Sequence, residues 1–547
     1  MNDMNYLMCV GGTGARIGEA YVYLCAMGYV GAGTTEIWII DRDSNNGNGK
    51  NLMDAIEEYR AFRGTCRWSE TECFAHELIC KKWDFTAALK GLNVNNTASF
   101  RALAGGDKNV ECVMSFLHDA VSLQESMEEG FYGRASTGTA MFKALEQADL
   151  WDANSPFTSL QTWIGKRSAN VPVFLVGSAF GATGASVLPN LARAIRKKYL
   201  DQKKAWPIGA ELMAPYFTFN TENVTDKKVD PNTFWAKTRQ ALRYYGEDGT
   251  VSIRKFQDSV GGEAVLDAFY ADGCETGATL TGNSPYCTGK EGQDNRSSIV
   301  ELQAAMNAAD FFKTGPEIKP GDSKPATYSY NTGAKAGNGW DSLDPSLKLP
   351  MISLARFCLA VLTYIYPMAH NPKPDTVDDL KNFFGVNGTP FGIVQSKVTQ
   401  LDADTMQSNV TCAATFSKRF LDYLDSLVTV GPDVTLFNQD LLSDLLSELV
   451  ANNIVARDDT DQQRLRKSRL NTVINAQSMD ALRRSSCKLK VLTNTPGGDN
   501  TNAALHDKLN GTINLDKPPR GDYKKYTENG MKRMYQIIYE YGRNLTF

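Results

Sequence analysis

The stretch VFLVGSAFGATGASVLPNLARAIRK, residues 173–197, decides the fold class of this chain. Its first part is apolar and rich in β-branched and aromatic residues, then come glycine and small residues, and an amphipathic pattern follows. This order predicts a buried strand, a tight turn and a helix. The stretch YLMCVGGTGARIGEAYVYLCAMG, residues 6–28, has the same form. We call residues 11–14 the first glycine turn and residues 181–184 the second glycine turn.

The first half of the chain alternates strand-like and helix-like segments. The strand-like segments are continuous apolar runs, which suit a parallel sheet covered on both faces. The pattern therefore predicts a doubly wound α/β domain with a parallel sheet. The predicted strands are 4–10, 35–41, 171–177 and 207–219, and the predicted helices are 14–28, much of 51–125, one beginning near 183, and 297–312.

A stretch rich in proline, glycine and serine, residues 313–340, follows the predicted helix 297–312. Such composition is typical of a linker or a long functional loop. We therefore expect an α/β domain over 1–312, a loop over 313–345 and a mostly helical C-terminal domain over 346–547. Within the last part, helices are predicted at 351–366, 412–429 and 436–451, and a strand at 487–494.

The composition is that of a globular protein, with 42% hydrophobic and 22% charged residues. The net charge is −4, and no stripe of arginine and lysine interleaves with aromatic residues, so nothing favours nucleic acid as a partner. No signal peptide pattern is present, and Arg356 interrupts the apolar run 351–369, so we expect no transmembrane segment. The 11 cysteines are then expected to be reduced thiols of a cytoplasmic protein.

One cysteine cluster has two interpretations. On a helix, Cys73, His76 and Cys80 would share one face, with Cys66 just before them, and could ligate zinc. The same spacing also fits the apolar face of an amphipathic helix, because cysteine is readily buried; this second interpretation is favoured. None of the four histidines lies in a motif that pairs it with a nucleophile.

The two glycine turns suit anion binding. A helix N-terminus carries backbone N–H groups without partners and the positive end of the helix dipole. Glycine lets the backbone approach a phosphate closely because it has no β-carbon. Two such turns in one crevice would hold a diphosphate or triphosphate, and Thr183 would add a hydroxyl donor. The alternative is that these glycines only let the helices pack closely against the sheet.

A dinucleotide enzyme is a competing interpretation. Gly12, Gly14 and Gly18 resemble a variant of the Rossmann turn, and Asp41 ends the second predicted strand, where an acidic group would bind a ribose hydroxyl. This interpretation accounts for residues 1–45. It does not account for the second glycine turn or for the lack of an evident proton-relay arrangement.

The two glycine turns resemble those of the tubulin/FtsZ superfamily. GGTGARIG (11–18) resembles the first phosphate loop, written GQCGNQIG in tubulin. SAFGATGASVLPNLARAIRK (178–197) resembles the tubulin signature and the helix after it. Gly181, Thr183 and Gly184 keep the signature, whereas Phe180 and Ser186 are among the departures from it. The resemblance covers roughly residues 5–365 and is closest to divergent bacterial tubulin-like proteins.

Further segments follow in the order of that family. IIDRDSNN (39–46) resembles the acidic loop near the magnesium ion, GFYGRASTG (130–138) lies where the family contacts the γ-phosphate, and KKVDPNTF (227–234) resembles the ribose-binding segment. Helix 297–312 would be the central helix whose start touches the base, through Asn295 or Glu301. By resemblance, the nucleotide-binding residues are Gly11, Gly12, Thr13, Gly14, Arg16, Asp41, Asp43, Gly133, Arg134, Gly181, Ala182, Thr183, Gly184 and Asp230, with Asp43 at the metal.

The resemblance also implies where hydrolysis would occur. In this family an acidic loop after the central helix completes the site of the neighbouring subunit. GWDSLDPSLKLP (339–350) offers Asp341 and Asp344 for this role, and a helix-capping role is an equal alternative. The expected protein binds GTP or GDP with Mg²⁺, associates head to tail into filaments and hydrolyses GTP slowly. The alternatives are a nucleotide-binding scaffold of a bacterial defence or membrane-remodelling system without turnover, and an NAD(P)-dependent oxidoreductase.

Overall fold

The structure is a computed structural model with an α/β architecture built on a parallel sheet. It describes residues 4–43, 46–65, 73–94, 98–126, 130–131, 133–147, 155–164, 170–204, 206–218, 231–245, 265–273, 278–279, 297–314, 330–331, 345–361 and 403–427. The strands are β1 (Asn5–Val10), β2 (Thr34–Ile40), β3 (Glu77–Trp83), β4 (Val173–Ser178), β5 (Ile208–Met213), β6 (Phe217–Thr218), β7 (Ala268–Asp272), β8 (Ala278–Thr279) and β9 (Tyr330–Asn331).

The main sheet has the strand order β3-β2-β1-β4-β5-β7, and the two-residue strand β9 extends it beyond β7. Its strands all pair in parallel. The register aligns the carboxyl ends of the central strands, because Val10 pairs with Ile40, Cys9 with Val176 and Ser178 with Met213. The predicted α/β class and parallel sheet are thereby confirmed. Strands β6 and β8 form a separate parallel pair.

The helices cover both faces of the main sheet. They are α1 (Gly11–Ala26), α2 (Gly47–Gly64), α3 (Thr86–Gly91), α4 (Lys108–Leu117), α5 (Ala120–Gln124), α6 (Ala135–Gln147), α7 (Pro156–Ile164), α8 (Ala182–Asp201), α9 (Phe234–Tyr245), α10 (Ile299–Thr314), α11 (Pro345–Ala360) and α12 (Ala403–Ser426). Two 3₁₀ helices span Phe100–Ala104 and Pro231–Thr233. No helix in the described residues is long and apolar enough to cross a membrane.

Alternate side chains of β1 enter two separate hydrophobic cores. Leu7 and Cys9 pack with α1, α2 and α10 in what we call the first core. Tyr6, Met8 and Val10 pack with α6, α7 and α8 in the second core, on the other face. Every residue of β1, β4 and β5 is buried, which explains why their sequences are continuous apolar runs. The helix that follows β1 and the helix that follows β4 therefore lie on opposite faces of the sheet.

Helices α11 and α12 pack into the first core. Tyr23 of α1 contacts the rings of Phe416, Phe420 and Tyr423 of α12, with centroids 4.3–6.4 Å apart. Arg419 also pairs with Glu58 of α2, its Nε lying 2.6 Å from Oε2. The helices predicted at 351–366 and 412–429 overlap α11 and α12. The predicted helix 436–451 and strand 487–494 lie outside the described residues.

The helix predicted around Cys73, His76 and Cys80 is wrong. Residues 77–83 form β3, which pairs with β2 along its whole length from Thr34 opposite Glu77 to Ile40 opposite Trp83. The ring of His76, just before this strand, lies 2.8 Å from Thr35 Oγ1 and 2.9 Å from the Gly31 carbonyl oxygen. Burial lowers the pKa of His76 to about 4. Among the described residues, no group of three or more histidine, cysteine or acidic side chains could hold a metal ion; Cys66 is not among them.

Candidate functional site

The two glycine turns lie against each other. A β-carbon on Gly11 would be 3.2 Å from Thr183 Cβ and 3.6 Å from the Gly184 nitrogen. The backbone of Gly11 has φ +73°, a left-handed conformation that favours glycine. The juxtaposition predicted from the sequence is therefore present, although the two turns are far apart in the chain.

The turns also occupy a characteristic position in the sheet. The first turn follows β1 and opens α1 in the first core, whereas the second follows β4 and opens α8 in the second core. Since β1 and β4 are neighbours, the helices leave the sheet on opposite sides at this point. In open parallel sheets, ligands bind outside the carboxyl ends of the strands at such a switch point.

Neither helix is capped by the side chain of its N-cap residue, and at the start of α8 only the Gly181 backbone nitrogen has a side-chain acceptor among the described residues, Ser178 Oγ at 3.2 Å. The residue before α1 is Val10 and the residue before α8 is Gly181, and neither first helical turn contains an acidic residue. By contrast, the Asp107 carboxylate accepts from two backbone N–H groups at the start of α4. The starts of α1 and α8 are thus suited to an external anion, which would meet backbone N–H groups and two helix dipoles.

Asp41 connects the end of β2 to the second glycine turn. Its Oδ1 accepts from the Asp43 backbone nitrogen at 3.2 Å and from Thr183 Oγ1 at 3.4 Å, and its Oδ2 accepts from Asn46 Nδ2 at 3.0 Å. Burial raises the pKa of Asp41 to about 6, although these hydrogen bonds lower it in part. A cation or a further donor near this carboxylate would stabilise its charged form.

The raised pKa of Asp41 predicts a specific pH dependence of stability. Between pH 3.8, the ordinary value, and about 6, the folded protein holds a proton that the unfolded chain has released, so stability falls as pH rises. The difference corresponds to about 3 kcal/mol. We therefore expect the unfolding free energy of the ligand-free wild type to fall by this difference between about pH 4 and about pH 7, whereas that of Asp41→Asn does not. Urea unfolding of both proteins measures the change. Parallel pH profiles for the two proteins would contradict the assignment.

Asp43 lies beside the turn that precedes α6. A β-carbon on Gly130 would be 3.7 Å from Asp43 Cβ, and Phe131 accepts a hydrogen bond from the Arg134 backbone nitrogen at 2.7 Å. The side chain of Arg134 pairs with Glu125 at 2.5 Å and is 32% exposed. A γ-phosphate contact by Arg134 would therefore replace or share this ion pair. Gly133, Arg134 and Asp43 are half-buried, as are Gly12 and residues 181–183, so each of them is partly exposed near the carboxyl edge of the sheet.

Arg16 is buried away from that edge, in a polar cluster between α1 and α10. Its Nε donates to Glu301 Oε1 and its Nη2 donates to the Tyr216 hydroxyl oxygen at 2.5 Å. The other oxygen of Glu301 accepts from the Ser298 backbone nitrogen at 2.8 Å. Glu301 is one of the two residues that the resemblance implied for base contact, and here both of its carboxylate oxygens accept from groups of the protein itself.

Phe180 and Ser186, two of the departures from the tubulin signature, make contacts within the protein. The ring of Phe180 packs on Phe234, with centroids 4.8 Å apart, and contacts Tyr216 and Phe217. The Ser186 hydroxyl donates to the Ala182 carbonyl oxygen at 2.6 Å, within α8. The bulk of both side chains is therefore taken up by these contacts.

Two asparagines at the start of α2 cover Gly12, and the sequence analysis did not single them out. A β-carbon on Gly12 would be 2.9 Å from Asn46 Nδ2 and 3.1 Å from Asn48 Nδ2. Asn46 caps α2, since its Oδ1 accepts from the Asn48 backbone nitrogen at 3.0 Å. The signal that could have found them is asparagine at the start of the helix that follows the loop after β2.

Several predicted residues lie outside the described residues, namely Asp230, Asn295, Asp341 and Asp344. No protein-family model matches the chain, and no curated protein matches it.

Proposed function

We propose that this protein is a tubulin/FtsZ-like GTP-binding protein that associates with itself. The observation that carries the proposal is the contact between two glycine turns at the switch point of a parallel sheet, each opening a helix that its N-cap side chain does not cap. The two helix starts favour a polyphosphate, because its oxygens accept from backbone N–H groups while its charge meets two helix dipoles. Gly11–Gly14 and Gly181–Gly184 would hold the phosphates.

The acidic groups beside the turns fit a divalent cation. Magnesium prefers oxygen ligands and keeps several of its water molecules. One half-buried carboxylate with a second carboxylate next to it is therefore enough to bind the ion. Asp43 is half-buried, and its backbone nitrogen donates to Oδ1 of the buried Asp41. Asp43 would hold the ion through an oxygen or a bound water, and the ion would neutralise charge on the phosphates.

The choice of guanine comes from the resemblance. The base would lie toward the start of α10, where Glu301 and Arg16 are paired. Asp230 would contact the ribose, as the resemblance implies.

Self-association is proposed to be head to tail. Such contacts are heterologous, so they propagate into a filament instead of closing. Asp341 and Asp344 of one subunit would reach the nucleotide of the next and orient water for slow hydrolysis. A nucleotide-binding scaffold without turnover shares the same site and differs only in this last step.

A dinucleotide enzyme is the second candidate, because the strand order 3-2-1-4-5 followed by a sixth strand is that of the Rossmann fold. The position of Asp41 argues against it. In a dinucleotide fold the acidic group at the end of the second strand binds ribose, whereas both oxygens of Asp41 here accept from Thr183, Asn46 and the Asp43 backbone.

Nucleotide identity tests the proposal. We expect nucleotide extracted from the purified chain to be GTP or GDP, and calorimetric titration to show Mg²⁺-dependent binding of GTP in preference to ATP and NAD. Gly12→Ala is expected to weaken GTP binding at least about tenfold, since its methyl group displaces the Asn46 and Asn48 amides. Gly49→Ala is the control, because its β-carbon would meet only Ile39 Cγ2 at 3.5 Å.

Light scattering with GTP separates the filament from the scaffold. The wild type is expected to assemble and to release phosphate slowly, and Asp344→Ala to assemble with less phosphate release. Asp310→Ala, on the exposed side of α10, serves as control. Extraction of a nicotinamide nucleotide would contradict the GTP proposal, and wild-type turnover by Asp344→Ala would contradict the intersubunit role of Asp344.

A further inference from the structure

Asn48 is a buried amide whose side chain has no hydrogen-bond partner. The residue is 1% exposed, and neither Nδ2 nor Oδ1 has a hydrogen-bond partner among the residues that the structure describes. Buried side-chain amides are normally satisfied, because an unpaired donor or acceptor keeps the full cost of losing water. A carboxamide with both atoms unpaired at the edge of a candidate site therefore requires an explanation.

The neighbouring Asn46 shows what a structural asparagine does here. Its Nδ2 donates to Asp41 Oδ2 at 3.0 Å, and its Oδ1 accepts from the Asn48 backbone nitrogen at 3.0 Å. The local structure thus uses both polar atoms of Asn46 to fix the loop after β2 and to begin α2. Since Asn46 already fills these two roles, the side chain of Asn48 is left for another partner.

The position of Asn48 identifies the kind of partner. Its Nδ2 lies 3.1 Å from where a β-carbon of Gly12 would be, so the amide faces the first glycine turn. Asp41 is connected to the same region through Asn46, and Asp43 follows Asp41. A phosphate oxygen accepts hydrogen bonds but does not donate them when ionised, whereas a water bound to a divalent cation donates.

We propose, resting on the proposed function, that Asn48 binds the phosphate end of the nucleotide together with its hydrated magnesium ion. Asn48 Nδ2 donates to a phosphate oxygen at the first glycine turn, and Oδ1 accepts from a water of the cation near Asp43. The carboxamide carries an NH2 donor group and a carbonyl acceptor side by side, so it can contact both partners at once. This role gives the unpaired amide its two missing hydrogen bonds when the ligand is bound.

The proposal predicts effects of opposite sign on affinity and on stability. Asn48→Ala is expected to weaken Mg²⁺·GTP binding about tenfold or more, because two ligand contacts are lost. The ligand-free variant is expected to melt at the same temperature as the wild type or higher, because an unpaired buried amide is removed. Asn48→Asp, which offers acceptors only and adds negative charge, is expected to bind more weakly than Asn48→Ala.

The experiment compares GTP titrations with Mg²⁺ and with EDTA for the wild type, Asn48→Ala and Asn48→Asp, and thermal melting without nucleotide. We expect Mg²⁺ to raise the affinity for GTP less in Asn48→Ala than in the wild type. Asn46→Ala is the matched control and is expected to melt at a lower temperature, because it removes a helix cap and a partner of Asp41.

Each contrary result has a separate meaning. If Asn48→Ala binds Mg²⁺·GTP like the wild type and melts lower without it, a buried water pairs with the amide and this inference is overturned, while the proposed function stands. If the wild type binds no nucleotide, the proposed function is overturned and this inference falls with it.

Discussion

Gly184→Ala is expected to destabilise the fold by about 3 kcal/mol or more and to lower the yield of soluble protein. A β-carbon on Gly184 would lie 2.4 Å from the carbonyl oxygen and 2.5 Å from the nitrogen of Ser178. Both atoms belong to the backbone at the end of β4, which is buried on both faces, so no flexible side chain can move aside. Either α8 must shift away from the sheet or β4 must deform, and both changes remove packing from the second core.

Urea unfolding followed by circular dichroism measures this effect, with Gly49→Ala in α2 as the matched control. The control adds a methyl group to a helical glycine in ordinary contact with Ile39, so it is expected to be neutral or slightly stabilising. Equal unfolding midpoints for Gly184→Ala and the wild type would mean that α8 does not approach β4 as closely as the structure has it.

The glycines of the two turns fall into two groups, which bears on whether the turns serve packing or binding. Gly14 and Gly184 face backbone: a β-carbon on Gly14 would lie 2.6 Å from the Val176 carbonyl oxygen. Close packing of helix on sheet accounts fully for these two. Gly12 faces the amides of Asn46 and Asn48, at the half-buried edge. A methyl group on Gly12 would meet side-chain amides and not backbone, so Gly12→Ala is expected to lose ligand affinity and to lose less stability than Gly184→Ala.

The parts of the fold predictable from the sequence are those with strong local patterns. The buried strands β1 and β4 and the buried end of β2 appear as apolar runs, and the glycine turns mark where α1 and α8 begin. Strand β3 was missed because Glu77, Lys81 and Lys82 are exposed at the edge of the sheet and interrupt its apolar pattern. What makes this segment a strand is its pairing with β2, a long-range effect that its own residues do not encode.

The candidate site was predictable in its backbone and less so in its side chains. The turns, Asp41 and Asp43 follow strands directly, so their common edge follows from the parallel order of the sheet. The partners of Arg16 could not be predicted, because Tyr216 and Glu301 come from distant parts of the chain. Likewise, only the assembled structure distinguishes Asn46, which is satisfied, from Asn48, which is not.

Arg16→Met is expected to cost about 3–5 kcal/mol of folding stability, because it leaves a buried carboxylate without its counter-charge. Glu301 is 1% exposed, and its Oε1 accepts from both Arg16 and the Tyr216 hydroxyl. Burial opposes the charge on Arg16, but Glu301 and Tyr216 outweigh it and raise the pKa of Arg16. The double variant Arg16→Met/Glu301→Gln is expected to recover much of the loss, since it removes both charges and keeps the volume.

Lys50→Met in α2 is the control for removing a positive charge, because the Lys50 side chain is 77% exposed. Its ion pair with Asp54 is expected to contribute less than about 1 kcal/mol to stability. Urea unfolding of the two single variants, the double variant and the control gives the coupling between Arg16 and Glu301 directly. If Arg16→Met unfolds like the wild type but binds GTP more weakly, Arg16 acts as a nucleotide ligand and not as a structural partner of Glu301. If the double variant instead recovers the lost stability, the Arg16–Glu301 ion pair fixes the start of α10 beside the first glycine turn. A nucleotide base at this end would then bind next to an ion pair that is already formed.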